Sequence, residues 1–140
     1  AYLHKIWNNN GSIILTKASQ LTPNISAIAG AIETYFNGAA DAHFYCSRGK
    51  EGISFPFHRD NDDNWLVHAY GGVKWTVNNS LANLPDDFSE FDLTVGDLLY
   101  IPKGLVHKAQ AQTRRISISV PLLENHAPKP LNRIYYDFAT

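Results

Sequence analysis

Arg115-Ile116-Ser117-Ile118-Ser119-Val120 alternates strictly between polar and apolar side chains. On a β-strand, successive side chains point to opposite faces, so this segment is predicted to be a strand with one apolar and one polar face. A polar face inside a small β structure is expensive unless it serves a site. Working outward, further short runs rich in Val, Ile, Tyr, Phe and Trp lie near 2–7, 12–17, 42–47, 53–59, 64–70, 73–78, 91–95, 98–101 and 105–111, with a last one near 132–138. Many are bounded by Gly, Pro, Asn or Asp, as short strands between turns are. One segment reads clearly as helix, near 23–37. Thr22 can cap it, Pro23 suits its first position, and Gly38 suits its stop. Within it Ile25, Ile28, Ala29, Ile32 and Phe36 recur at helical spacing. Many short strands after one early helix predict a mainly all-β sandwich or barrel. Leu66, Val77, Leu93, Leu98, Ile101, Ile116, Ile118 and Val120 are its expected core.

At 140 residues, the chain is expected to be one domain, 1–140, with a core of its own. Apolar residues at 44% and charged residues at 18% fit a folded chain rather than a disordered one. A net charge of −1 gives no basic excess that would ask for nucleic acid. No apolar run approaches a membrane span, and no charged-then-apolar leader opens the sequence. The single cysteine, Cys46, cannot form an internal disulfide, which points to a reducing compartment such as the cytoplasm.

The strongest chemistry is His58-Arg59-Asp60, followed much later by His107. Residues two apart on a strand share a side, so His58 and Asp60 can offer a nitrogen and an oxygen to one ion. His107 from another strand would complete two histidines and a carboxylate on one face of an octahedron. That arrangement leaves positions open and suits non-haem Fe(II). The tripeptide alone is weak, since a surface loop with a solvated ion pair has the same sequence.

The surroundings are more specific. Gly52, five residues, His58-x-Asp60 and then Gly71 resembles the first motif of the cupin superfamily. Gly96, five residues, Pro102-x-Gly104, two residues, His107 resembles its second. Asp60 stands in place of the second His, and Asn64 falls near the usual Glu. These departures move the likeness toward the cupin-like, JmjC-type Fe(II)- and 2-oxoglutarate-dependent oxygenases. Phe55-Pro56-Phe57-His58, Gly72-Val73-Lys74-Trp75 and Gly96-Asp97-Leu98-Leu99-Tyr100-Ile101-Pro102 are similar to that branch, and the motif-bearing part covers residues 52–121.

The resemblance implies a double-stranded β-helix (a cupin, or jelly-roll, barrel) with one N-terminal helix. It implies Fe(II) held by His58, Asp60 and His107, with 2-oxoglutarate as cosubstrate. The far carboxylate of 2-oxoglutarate would meet a cation, for which there are two candidates. Lys74 sits in a Gly-x-Lys-Trp context, although strict register puts Val73 in the family lysine's slot, and a bulge at Gly71-Gly72 would be needed to turn Lys74 inward. Arg115 with Ser117 resembles the Arg-x-Ser clamp of related oxygenases; a guanidinium suits bidentate carboxylate binding. The implied activity is hydroxylation of an unspecified protein side chain or small molecule. The alternative is a metal-binding cupin without oxygenase activity, because the chain is close to a bare barrel. His68 is read either as lining the site or as a hydrogen-bonded core histidine. Tyr45 is the aromatic to watch; His4, His43 and His126 receive no role. The strand near 132–138 is expected to add to or cover a sheet edge, and a homodimer through such an edge remains open.

Overall fold

The computed structural model describes residues 2–52 and 54–123. Two helices and nine strands follow in the order α1 (Tyr2–Asn8), β1 (Ile13–Leu15), α2 (Pro23–Phe36), β2 (Ala39–Ala40), β3 (His43–Ser47), β4 (Asp63–Tyr70), β5 (Val73–Asn78), β6 (Phe88–Leu93), β7 (Leu98–Ile101), β8 (His107–Ala111) and β9 (Arg115–Leu123). One sheet has the order β1-β3-β9-β4-β7, with β2 also paired to β9; the other has the order β6-β5-β8. All described pairings are antiparallel. This is the mainly β, two-sheet architecture of a cupin-like jelly roll.

Strand β9 sits at the centre of the larger sheet, hydrogen-bonded to β3 on one side and β4 on the other. Its apolar side chains Ile118, Val120 and Leu122 pack under α2, against Ile25, Ala29 and Ile32. Thr22 caps that helix, its Oγ1 accepting from the Ile25 N–H at 3.3 Å. The left-handed residue that ends it is Asn37, φ 51°, one position before the expected Gly38. The opposite face of β9 looks between the sheets. There Leu66, Val73, Trp75, Val77, Leu93, Ile101 and Leu105 form a second apolar cluster. The polar row Arg115, Ser117 and Ser119 lies beside it, and all three are buried.

Several expectations need correction. Residues 2–8 form a helix, not a strand. Tyr2, Leu3, Ile6 and Trp7 are spaced as one helical face, not as an alternation. Among its described residues, 54–59, the segment near 53–59 yields only an isolated bridge, between His58 and His107. Pro56 lacks the N–H that a ladder needs there. Leu98 is 61% exposed, whereas Ile101 is buried. The two are an odd number of residues apart on edge strand β7, so only one can face inward. Ile116 is partly exposed on the outer face. The sixth β-strand ends at Leu93 because Thr94 turns, its N–H donating to Asp97 Oδ2 at 2.7 Å. The run at 132–138 lies outside the described residues.

A tight turn joins β4 to β5, and it depends on one glycine. Gly71 has φ +74°, and a Cβ there would collide with the Arg114 carbonyl group. Gly71→Ala is expected to lower unfolding free energy by about 2–4 kcal/mol, combining left-handed strain with a backbone clash. Urea denaturation at constant m-value checks this.

Candidate metal centre

His58, Asp60 and His107 come together at the mouth of the space between the sheets. The clasp is made by the backbone: the His58 N–H donates to the His107 carbonyl at 3.1 Å, and the His107 N–H to the His58 carbonyl at 2.9 Å. This reciprocal pair sets the two imidazoles side by side, ring centroids 4.4 Å apart. His58 Nδ1 donates to the Pro56 carbonyl at 2.9 Å, and His107 Nδ1 to the Leu105 carbonyl at 2.8 Å. Both Nε2 atoms are thereby left facing the Asp60 carboxylate, at 3.7 Å from His58 and 3.4 Å from His107. One donor atom from each of the three residues lies within 4.8 Å of the other two.

Two imidazole lone pairs and a carboxylate converge favourably only around a cation or a proton. Ligand bonds of about 2.1 Å at right angles need donors about 3 Å apart, so a small inward movement suffices. The residues present therefore fit a divalent ion of the borderline class that accepts nitrogen and oxygen. Asp60 is oriented from behind. The Asn64 Nδ2–H donates to its Oδ2 at 2.7 Å, and the Asn64 carbonyl accepts from Ser119 Oγ at 2.7 Å. The hydrogen bond with His107 leads in holding the Asp60 carboxyl below its ordinary range, against the opposing effect of burial. Asn64 thus lies near the usual cupin Glu position and hydrogen-bonds Asp60.

The centre opens on a cavity of about 410 Å³ whose walls include Tyr45, Leu66, Trp75, Arg115, Ser117 and Ser119. Arg115 is buried, and its Nε donates to Ser47 Oγ at 3.2 Å and its Nη1 to Ser117 Oγ at 3.4 Å. Both partners are neutral hydroxyls, and among the described residues no carboxylate pairs with it. Burial, the leading cause, lowers the pKa of this guanidinium.

Lys74 is not brought into the cavity. It lies on the outer face of β5, with its Nζ 2.9 Å from Glu90 Oε2. The register irregularity falls earlier, between His68 and Tyr70, and leaves the apolar Val73 and Trp75 facing inward. His68 is the hydrogen-bonded core histidine, bonded to Ser117 Oγ and the Gly71 carbonyl.

His43, which sequence reasoning left without a role, lines the cavity. Period two along β3 would have found it. His43, Tyr45 and Ser47 share a face and pair with Ser119, Ser117 and Arg115. Two buried nitrogens of residues that line this cavity, His43 Nδ1 and Trp75 Nε1, have no hydrogen-bond partner among the described residues. Burial is also the leading cause raising the Tyr45 phenol pKa.

A family model described as a JmjC domain matches residues 15–129. Ribosomal oxygenase 2 of Rattus norvegicus is 23% identical over 112 residues, covering 69% of this chain and 24% of that protein. The Escherichia coli ribosomal oxygenase YcfD, solved with cobalt and succinic acid, superposes with a TM-score of 0.65 at 21% identity, covering 82% of this chain and 32% of that one. Its complex with cobalt and 2-oxoglutarate gives the same TM-score, 0.65, at 20% identity. A cupin superfamily protein from Desulfitobacterium hafniense matches with a TM-score of 0.50 at 15% identity, covering 61% of this chain and 68% of that one. The chain thus spans about a quarter of the curated relative and a third of YcfD. No helix among the described residues is long and apolar enough to cross a membrane. With the family model matching most of its length, a span that includes His58, Asp60 and His107, the chain belongs to the JmjC domain family.

Proposed function

We propose that this chain is an Fe(II)- and 2-oxoglutarate-dependent oxygenase domain, with hydroxylation of a protein side chain as its reaction. The observation that carries the reading is Arg115, a guanidinium buried without a carboxylate in the cavity that His58, Asp60 and His107 also line. A buried charge of this kind is costly alone and is offset by an anion that fits its fork. The ribosomal oxygenases among its relatives support a protein substrate and a cytoplasmic setting, and the lone Cys46 suits a reducing compartment. Residues 1–140 are read as one domain.

In this reading His58, Asp60 and His107 hold the metal. When bound, Fe(II) supplies the oxidation of a substrate C–H by O₂, with 2-oxoglutarate converted to succinate and CO₂. The rest falls to the chain's own groups. Arg115 and Ser117 bind the far carboxylate of the cosubstrate. The carbonyls of Pro56 and Leu105 keep both Nδ1–H groups turned away, so that Nε2 faces the ion. Leu66, Trp75, Ala109 and Pro121 give the cavity apolar wall that limits water.

One observation favours a second reading, a cupin-fold metal binder without turnover. Val73, in the slot of the family lysine, is buried and apolar, so β5 contributes no cation to the cavity.

Anaerobic titration of the protein with Fe(II) and then 2-oxoglutarate separates the two. A weak visible charge-transfer band that needs both additions is expected; iron binding without 2-oxoglutarate affinity favours the second reading. Asp60→Ala is expected to weaken metal binding by at least about 100-fold, and unchanged affinity by calorimetry would sink the triad. Arg115→Ala should retain metal and lose about 2–5 kcal/mol of 2-oxoglutarate affinity, roughly 30-fold or more. Lys74→Ala should leave that affinity unchanged, because its partner Glu90 lies on the outer face.

A further inference from the structure

His68 is almost wholly buried on β4, directly behind the cavity wall formed by Ser117. Its Nε2 lies 2.7 Å from the Gly71 carbonyl, which only accepts, so Nε2 carries a proton. Its Nδ1 lies 3.2 Å from Ser117 Oγ. The same hydroxyl oxygen lies 3.4 Å from Arg115 Nη1, which only donates. These constraints leave two arrangements. With His68 neutral, Ser117 donates its single hydrogen to Nδ1 and accepts from Arg115. A carboxylate docked at Arg115 then receives nothing from Ser117. With His68 protonated, Nδ1–H donates to Ser117, and the hydroxyl hydrogen is free to turn into the cavity.

We propose that His68 is a positioning residue that takes up a proton when a carboxylate docks at Arg115, turning the Ser117 hydroxyl from the imidazole to the ligand. The proposal rests on the clamp reading given above for Arg115. The surrounding charges explain why the proton arrives with the ligand. Arg115, on the neighbouring strand, opposes a second buried cation beside it. From the turn before β7, the Asp97 carbonyl accepts the His68 backbone N–H at 3.0 Å, and the exposed Asp97 carboxylate gives only weak, screened attraction. Strand β3 brings Tyr45 and Cys46 into the field of Arg115; burial raises the pKa of both, which keeps them neutral. Lys74 on β5 is turned outward to Glu90, and Arg114 beyond the hairpin is exposed. Nothing in the ligand-free cradle therefore offsets a second positive charge, whereas a docked carboxylate does. By reciprocity, ligand binding raises the proton affinity of His68, and the proton raises the affinity for ligand.

The test is calorimetry of 2-oxoglutarate binding to the Mn(II)-loaded protein, repeated in buffers of different ionisation enthalpy. Up to one proton taken up per ligand is expected, with affinity weakening as pH rises, by at most about tenfold per pH unit. His68→Gln should remove the uptake and flatten the pH dependence while still binding 2-oxoglutarate. Ser117→Ala keeps the histidine and should also lose most of the uptake. Nitrogen NMR of the wild-type imidazole, with Zn(II) in place of Mn(II), needs no variant. It should show a neutral Nε2–H tautomer that becomes doubly protonated on adding ligand. Absence of 2-oxoglutarate binding at every pH would overturn clamp and coupling together. Binding without proton uptake, or with the same uptake in His68→Gln, would overturn the coupling and leave the clamp standing. Uptake retained in Ser117→Ala would overturn the hydroxyl turn.

Discussion

Strand β9 is buried on both faces, and the two faces need unlike surroundings. Ile118, Val120 and Leu122 require an apolar cover, which α2 supplies. Arg115, Ser117 and Ser119 require hydrogen bonds, which come from Ser47, His68 and Asn64 on the flanking strands. A register slip of one residue on β9 would exchange the two sets, placing a guanidinium under the helix and an isoleucine against the cavity. The cost of either misplacement is high enough to fix the register of β3 and β4 as well, since both pair with β9. The position of the cavity then follows from the sheet order.

The polar interior consists of two hydrogen-bonded groups on one face of β9. Ser119 orients Asn64, Asn64 orients Asp60, and Asp60 faces both histidines. On the same strand face, Ser117 joins Arg115 to His68, and Ser47 holds the guanidinium from the other side. Apolar residues at these places would pack without desolvating a charge. Their absence is the expected signature of a site maintained at some expense of stability.

How much of this could be read from the sequence follows the range of each signal. The alternation of 115–120, the capped helix after Thr22, and the spacing of Pro102-x-Gly104 before His107 are local patterns, and the structure bears them out. The two faces of β9 were also legible, but not that the apolar one would be covered by α2. Lys74 misled because its Gly-x-Lys-Trp context is local, whereas its direction is set by the pairing of β5 with β6, which delivers Glu90 to its ammonium. Leu98 looked apolar enough for the core, but an edge strand carries such residues on its outer face too. Period two puts His43 on one face with Tyr45 and Ser47, but that this face meets the polar row of β9 is set by the pairing of β3 with β9, a contact across more than seventy residues of chain. His58 does meet Asp60 and His107, but the strand reading gave an incomplete reason, since a single backbone bridge places it and not a regular strand.

That bridge gives the centre two unequal sides. The His107 side chain is 3% exposed and rooted in β8, while those of His58 and Asp60 are 37% and 35% exposed on a segment held at its edge. Opening the two bridging hydrogen bonds, together with those that Asp60 receives from the Asn64 amide and the Gly104 N–H, would lift two of the three triad residues together and leave the third in place. Under the proposed function, ion exchange would proceed by peeling the 56–60 segment from His107. The lifetime of the loaded state would then be governed by local opening of that segment instead of global unfolding, and a chelator would strip the protein while its sandwich stayed folded.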